Sequence, residues 1–261
     1  MAELLRLEGL SIAFGGLLAL DAVDLAVGPG ETRALIGPNG SGKTTLINVV
    51  AGVYRPTSGR LTFDGHDLLV YPPQARARLG LARTFQNLEL FQRMTALENV
   101  LVGQHTAFRA SPLDVVVRSG RMRREEQEAR ARAAALLDRV GLSRYASYPA
   151  NALAFGHQRL LEIARALAAR PKLLLLDEPG AGLTVEELDV LGALLRQIQR
   201  EEGIAVLLVA HTMRLVLGVA DRVSVLDHGV LVAEGEPQAV VNDPRVIEAY
   251  LGRPDGDAAP A

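Results

Sequence analysis

Strand-length apolar runs alternate with helix-length apolar patterns along much of the chain. The runs at 173–176 and 204–209 are almost continuously apolar, which is typical of parallel strands buried on both faces. Between them, the pattern over 185–201 predicts a crossover helix. The order strand, helix, strand indicates an α/β core built on a parallel sheet.

Shorter apolar runs with turn residues between them lie on both sides of this pattern. The early runs predict an antiparallel β layer, and the late ones predict a hairpin around His228 and Gly229. An apolar pattern over 44–51 predicts a helix after a glycine-rich loop, and helical patterns cover 237–251. The further predicted strands are 4–10, 25–27, 32–36, 61–63, 222–226 and 230–233.

The middle of the chain has a different composition. Residues 119–140 are rich in charge and alanine, with apolar residues at helical spacing towards their end. We interpret the charge run as a solvated helix face and predict a helical subdomain over 87–157. It is inserted into an α/β core formed by 1–86 and 158–252, giving one domain. The tail at 253–261 is rich in Pro, Gly, Ala and Asp and is predicted to be disordered.

Composition narrows the possible functions. Of the 261 residues, 49% are hydrophobic and 22% charged, which are ordinary globular values. The chain has no cysteine, which excludes disulfides, thiolate metal sites and cysteine catalysis. A net charge of -2 gives no support for nucleic-acid binding. The sequence shows neither a secretory signal nor an apolar run of the roughly 18–20 residues that span a bilayer, so we expect an intracellular protein.

The glycine-rich loop has the pattern G-x-x-x-x-G-K-[ST], between a predicted strand and a predicted helix. Its glycines let backbone N–H groups turn around an anion, and the helix N-terminus adds a positive dipole end. Lys43 is expected to reach the β- and γ-phosphates of a nucleotide, and the Thr44 hydroxyl to hold Mg²⁺. The predicted nucleotide-binding residues of this region are Asn39, Gly40, Ser41, Gly42, Lys43, Thr44 and Thr45.

Four further residues complete a candidate catalytic group, and three of them follow predicted strands of the core. Asp177 ends the strand at 173–176 and is expected to hold Mg²⁺, whereas Glu178 is a candidate general base for an attacking water. His211 follows the next strand, where an imidazole could orient the base or the γ-phosphate. Gln86 lies where the core meets the helical insert, and its amide could contact Mg²⁺ or water.

Taken together and in this order, these motifs make the chain resemble ABC-type nucleotide-binding domains over about residues 4–252. The resemblance implies a RecA-like P-loop core with an inserted helical subdomain, and it implies that Phe14 stacks on adenine. It also implies that the signature region at 153–159, with Ala154 and Gly156, contacts ATP bound to a second subunit. The signature departs from the common Leu-Ser-Gly-Gly-Gln, because Ala154 lacks the serine hydroxyl. The usual acid of the following D-loop is also absent, since 181–184 reads Ala-Gly-Leu-Thr.

The departures agree with one branch of the family. Leucine, alanine, aromatic and glycine at 153–156, followed by Arg-Leu-Leu-Glu-Ile-Ala-Arg at 159–165, is similar to the larger ATP-binding subunit of branched-chain amino-acid importers. The segment Arg-Thr-Phe-Gln-Asn at 83–87 and the ending Ala-Tyr-Leu-Gly at 249–252 agree with it. Importers of urea and short amides share much of this pattern and remain an alternative.

The resemblance implies a subunit that hydrolyses ATP with Mg²⁺ on the cytoplasmic side of the cell membrane, as a peripheral protein. Its expected partners are integral membrane permease subunits, a second identical or different ATP-binding subunit and, indirectly, a solute-binding protein. A soluble ABC ATPase of translation or DNA repair is a rival, but such proteins usually carry two domains or long coiled coils. A P-loop kinase is another, and Glu178 with the signature region argues against it.

Overall fold

A computed structural model describes residues 3–84, 88–104 and 120–251 of the chain. Two β-sheets and a set of helices pack around two hydrophobic clusters. The strands are β1 (Leu5–Phe14), β2 (Leu17–Val27), β3 (Thr32–Ile36), β4 (Ser58–Phe63), β5 (His66–Asp67), β6 (Leu81–Arg83), β7 (Leu173–Asp177), β8 (Ala205–Val209), β9 (Arg222–Asp227) and β10 (Val230–Gly235). The α-helices are α1 (Lys43–Ala51), α2 (Pro73–Leu79), α3 (Ala96–Gly103), α4 (Gly120–Arg139), α5 (Phe155–Leu167), α6 (Val185–Glu202), α7 (Met213–Val219), α8 (Pro237–Val241) and α9 (Pro244–Leu251).

The first sheet is antiparallel and has the strand order β2-β1-β4-β5. This confirms the predicted N-terminal β layer, although β1 and β2 are longer than the predicted 4–10 and 25–27. The extra residues belong largely to the half of β2 in which exposed positions outnumber buried ones. Its exposed positions include Leu17, Leu18 and Ala22 as well as two aspartates. This half of the strand therefore shows neither a continuous apolar run along its length nor a regular alternation of apolar and polar residues.

The second sheet has the order β10-β9-β3-β8-β7-β6, and all its strands except β10 are parallel. The predicted parallel core and the hairpin of β9 and β10 are thereby confirmed. Because β3, β7 and β8 run in the same direction, their carboxyl ends meet at one edge of the sheet. This edge carries the glycine-rich loop after β3, Glu178 after β7 and His211 shortly after β8.

The central strands separate the two hydrophobic clusters. In β7, Leu173 and Leu175 face the cluster that contains α1 and the antiparallel sheet, whereas Leu174 and Leu176 face the cluster that contains α5 and α6. All four leucines are fully buried. The alternation follows from the two-residue period of a strand, and burial on both faces explains why the run is continuously apolar.

Helices α3, α4 and α5 pack against one another in the middle of the chain. Helix α3 begins with a capping box between Thr95 and Glu98, which satisfies backbone donors of its first turn. The division into a core and a helical subdomain over 87–157 stays a prediction, and α5 runs across its second boundary. The predicted tail and Gln86 lie outside the described residues. Within the described part, no helix combines the length and hydropathy that crossing a bilayer requires.

Candidate nucleotide-binding and catalytic site

The glycine-rich loop joins the buried end of β3 to the start of α1. A Cβ at Gly37 would collide with the Leu226 carbonyl oxygen, and one at Gly42 would lie 2.5 Å from the Ala19 carbonyl oxygen. Both glycines have φ in the left-handed region, at 150° and 104°. Only glycine fits these positions, so the backbone can wrap closely around an anion beside the N-terminus of α1.

Lys43 is buried under this loop. Its Nζ donates hydrogen bonds to the carbonyl oxygens of Gly37 at 2.9 Å and Pro38 at 2.7 Å, and to Ser41 Oγ at 3.3 Å. Burial lowers the pKa of Lys43, and the charges of Glu178 and Asp177 oppose that shift. All three donors face neutral acceptors, so an anionic phosphate oxygen would be a stronger partner than those it replaced.

Asp177 ends β7 and is 1% exposed. Its Oδ2 accepts a hydrogen bond from Arg83 Nη2 at 3.3 Å, while Arg83 Nη1 donates to Asn48 Oδ1 at 2.6 Å. Burial raises the pKa of Asp177, partly offset by the charges of Arg83 and Lys43. Within the described residues, Asp177 Oδ1 has no hydrogen-bond partner. A buried carboxylate oxygen without a partner is suited to a hard cation such as Mg²⁺, so this residue fits the predicted metal site.

Glu178 and His211 contact each other across the same sheet edge. His211 Nε2 lies 2.8 Å from Glu178 Oε1, and the Glu178 backbone N–H donates to the Val209 carbonyl oxygen at 2.9 Å. Glu178 has a φ of 51°, a left-handed conformation that costs a non-glycine residue free energy. Such strain persists where the surrounding structure holds the backbone in place. Here the strained residue places its carboxylate at the wall of a cavity.

One cavity of about 400 Å³ collects most of the predicted site residues. Phe14 lies at its apolar end, 43% exposed, with its ring 5.1 Å from that of Tyr54 in an edge-to-face contact. Glu178 and His211 also line the cavity. The predicted residues that line it are Phe14, Asn39, Gly40, Gly42, Lys43, Thr44, Thr45, Glu178 and His211.

Ser41 and Asp177 lie beside the cavity, in contact with Lys43 and Arg83 respectively. Five lining residues were not predicted, and they come from two β-hairpins that border the loop. The Gly229 N–H donates to the Ser41 carbonyl oxygen at 3.0 Å, which joins the second hairpin to the loop. The sequence of this hairpin predicted only its turn at His228 and Gly229. A local pattern does not show that the turn contacts the phosphate loop, which lies far away in the sequence. The five residues are Leu17, Leu18, Ala19, His228 and Gly229.

The two predicted signature residues lie elsewhere, at the N-terminus of α5. Ala154 is the N-cap residue and exposed, and it makes no side-chain capping bond. Gly156 is buried, and a Cβ there would collide with Glu187 Oε1. Neither Ala154 nor Gly156 lines the cavity. This helix end therefore lies outside the cavity that Lys43 lines, and the contact of Ala154 and Gly156 with a nucleotide stays a prediction.

The altered D-loop ends in a residue that caps the next helix. Thr184 is the N-cap residue of α6 and forms a capping box with Glu187: Thr184 Oγ1 accepts from the Glu187 N–H at 3.3 Å, and Glu187 Oε2 accepts from the Thr184 N–H at 2.9 Å. Threonine and aspartate both cap helices well. The Phe155 ring also packs beside Gly182, which joins this loop to the signature region.

A second depression of about 320 Å³ lies between α2, β6, α3 and α5. Small and apolar residues make up most of its lining, together with Arg83 and Arg165. The guanidinium of Arg83 donates a hydrogen bond to Asp177, the candidate metal ligand. Because Arg83 also lines this groove, it connects the groove to the candidate metal site. Gln86 follows β6 by three residues in the sequence.

Comparisons with known proteins agree with this geometry. The model of the ABC transporter family matches residues 20–181, and a model described as a branched-chain amino acid ATP-binding cassette transporter matches residues 230–256. The chain is 43% identical over 249 residues to the high-affinity branched-chain amino acid transport ATP-binding protein BraF of Pseudomonas aeruginosa. That alignment covers 95% of this chain and 98% of BraF.

Solved structures show the same architecture. The ADP conformation of an ATP-binding cassette from an ABC transporter superposes with a TM-score of 0.84 at 34% identity, over 97% of this chain and 100% of that one. A dimeric ATP-binding cassette bound to ADP and phosphate gives 0.76 at 27% identity, over 89% and 98%. The phosphate loop, the acidic strand end and these matches lead to one conclusion: the chain belongs to the ABC transporter family, as an ATP-binding cassette.

Proposed function

We propose that this chain binds and hydrolyses ATP to power the import of branched-chain amino acids. The observation that carries the proposal is the placement of Lys43, Glu178 and His211 around one cavity. It joins a phosphate-binding cation to a paired carboxylate and imidazole, a set suited to the hydrolysis of a nucleoside triphosphate. The solute is inferred from BraF, which matches this chain over nearly its whole length.

Nucleotide binding divides between the two ends of the cavity. The exposed face of Phe14 would stack on the adenine ring, because an aromatic face attracts any base. The phosphates would lie over the amides of residues 39–45, with Lys43 exchanging a loop acceptor for a phosphate oxygen. Mg²⁺ would be held by the Thr44 hydroxyl, by Asp177 and by Gln86, and when bound it neutralises charge on the phosphates.

Hydrolysis needs a water that attacks the γ-phosphorus while the bond from that phosphorus to the bridging oxygen of ADP breaks. Glu178 would accept the proton that this water loses, as its general base. His211 already bonds the same carboxylate at 2.8 Å, so it can hold Glu178 in place. After hydrolysis the proton remains on Glu178 until solvent removes it, and the cavity is open enough for that exchange.

A second ATP-binding subunit, identical or different, would complete the site. The N-terminus of α5, with Ala154 and Gly156, is turned away from this chain's own cavity and presents free backbone donors. In a head-to-tail pair it would reach the γ-phosphate of the nucleotide held by the other subunit. The departure at Ala154 leaves this task to backbone N–H groups rather than to a serine hydroxyl.

Membrane partners would dock at the groove between α2, β6, α3 and α5. Its apolar lining suits a short helix from an integral permease subunit, and Arg83 connects it to Asp177. The chain would thus sit peripherally on the cytoplasmic side of the cell membrane. A solute-binding protein would act only through the permease. Urea or a short amide is the alternative solute.

Reconstitution tests this function. The chain would be placed in liposomes together with permease subunits and the second ATP-binding subunit of its transporter, and supplied with the solute-binding protein. We expect ATP hydrolysis and uptake of leucine, isoleucine or valine. Both should be lost with Lys43→Ala, because Lys43 is the only lysine or arginine among the described residues that line the cavity. Uptake of urea or acetamide without that of leucine would favour the alternative solute. Unchanged hydrolysis by Lys43→Ala would overturn the ATPase assignment.

A further inference from the structure

The end of the described chain contacts the beginning of the phosphate loop. Tyr250, on α9, accepts a hydrogen bond at its hydroxyl oxygen from the Gly37 backbone N–H at 2.9 Å. The two residues are 213 positions apart in the sequence. Burial raises the pKa of Tyr250 and the bond from Gly37 opposes that shift, so the phenol is neutral at physiological pH. The bond therefore joins a neutral acceptor to the strand-to-loop junction.

Gly37 is held on its other side by groups that belong to the loop and to β9. Its carbonyl oxygen accepts from Lys43 Nζ at 2.9 Å, and its Cα lies against the Leu226 carbonyl. Lys43 has three donors, and all three are engaged within the loop. When Lys43 turns to a phosphate, at least one of these bonds is lost. The bond from Gly37 to Tyr250 involves neither Lys43 nor the cavity lining, so a nucleotide does not compete for it.

Packing alone does not account for this tyrosine. Its side chain is 41% exposed, so a large part of the ring remains in contact with solvent. The hydroxyl is the part of the side chain that meets the phosphate loop. Without it, a partly buried backbone N–H at the first loop residue would lose its acceptor, and leaving such a donor unpaired costs free energy.

We propose that Tyr250 is a positioning residue for nucleotide binding: it anchors the start of the phosphate loop in its anion-binding form while Lys43 changes partners. The inference rests on the nucleotide binding at this loop proposed above. Without the anchor, the empty loop samples other conformations, and the nucleotide must reorder it on binding. Saturating ATP restores the same bound arrangement, so affinity falls while the turnover number is kept.

The test compares Tyr250→Phe with Tyr148→Phe, a matched control on a tyrosine that is 50% exposed and lies in the predicted helical subdomain. Tyr250→Phe keeps the ring and removes only the acceptor. We expect ATP to bind about threefold to tenfold more weakly, the equivalent of one lost hydrogen bond. KM for ATP should rise by the same factor, with kcat changed less than about twofold. Amide hydrogen exchange in the empty protein should become faster at Gly37 and its loop neighbours, and unchanged in the control.

The outcomes separate the possible roles. Unaltered ATP affinity and unaltered exchange at Gly37 would overturn the inference. A lower melting temperature with unchanged KM would also overturn it, because it would show that Tyr250 only stabilises the fold. Lys43→Ala, measured beside these variants, tests the underlying assignment. If it abolishes ATP binding while Tyr250→Phe has no effect, only the positioning role fails, whereas intact binding in Lys43→Ala would refute the nucleotide site itself.

Discussion

Replacing Glu178 by Gln separates hydrolysis from nucleotide binding. Glutamine has nearly the same size and would occupy the same left-handed backbone position, so the strain at a φ of 51° does not change. Its amide oxygen can still accept from His211 Nε2 at the observed 2.8 Å. The phosphate contacts of Lys43 and the metal contacts of Asp177 are not touched. The change therefore removes the negative charge of this carboxylate and, with it, the ability to accept the proton of the attacking water.

The expected fall in the rate of hydrolysis follows from the loss of the general base. A general base contributes about 10²- to 10⁴-fold to a rate, so hydrolysis by Glu178→Gln should fall by about 10²-fold or more. ATP should bind at least as tightly as before, because a negative charge beside the γ-phosphate is gone. For the same reason two subunits should close more readily around ATP. Light scattering should find a dimer with ATP and Mg²⁺ and a monomer with ADP.

Glu186→Gln is the matched control for this experiment. It removes the same charge from an exposed residue of α6, eight positions further along the chain, and should leave both hydrolysis and association unchanged. The assays are phosphate release, ATP titration and light scattering, repeated with the second ATP-binding subunit in case the working pair is a heterodimer. Hydrolysis at the parent rate by Glu178→Gln would exclude Glu178 as the base. Dimers that form equally well without ATP would refute the nucleotide-bridged pair.

Three further changes test other parts of the site. Phe14→Ala should weaken ATP binding by about 1–3 kcal/mol in a titration, with inorganic triphosphate unaffected, because only base stacking is lost. Burial raises the pKa of Asp177, so keeping this carboxyl ionised in the folded protein lowers the free energy of unfolding at pH values above the ordinary carboxyl pKa. Asp177→Asn should therefore melt at a higher temperature at pH 7, in calorimetry without nucleotide, with the gain vanishing near pH 4, and equal melting at pH 7 would contradict this. Gly156→Ala should destabilise the protein by about 1–3 kcal/mol in denaturant unfolding, and adding Glu187→Ala should recover part of the loss.

Most of the fold was predictable, because the central strands are buried on both faces and show this in their composition. The runs containing Leu174 and Val206 read as parallel strands, and β7 and β8 pair in that way. The short β6 was not predicted, because three residues give too little pattern. The predicted β1 was too short, because much of its sheet faces water. The ends of the central strands could still be inferred from the sequence. The structure places Glu178 and His211, which follow two of these ends, together at one edge of the sheet.

Contacts that join distant parts of the chain were beyond local patterns. Arg83 reaches both Asn48 and Asp177, yet its sequence context indicates only the end of a strand. Tyr250 belongs to the ending Ala-Tyr-Leu-Gly, which resembles that of related importer subunits. That pattern does not indicate that the Tyr250 hydroxyl bonds to Gly37. Such bonds depend on the register of packed elements, which a one-dimensional pattern does not contain. The roles of the site residues stay predictions until the variants are measured.

The close fit of Gly156 against Glu187 has a consequence for how this sequence can change over time. A side chain at position 156 has no room while a glutamate stands at position 187, and that glutamate also caps α6 through Thr184. A larger residue at position 156 alone would clash with Glu187, whereas a change at position 187 alone costs only a capping bond. We therefore expect position 156 to change only after position 187 or together with it. The residues at position 156 in α5 and position 187 in α6 thus constrain each other. A chimera that takes α5 from one relative and α6 from another should be destabilised when it combines a larger residue at position 156 with a glutamate at position 187.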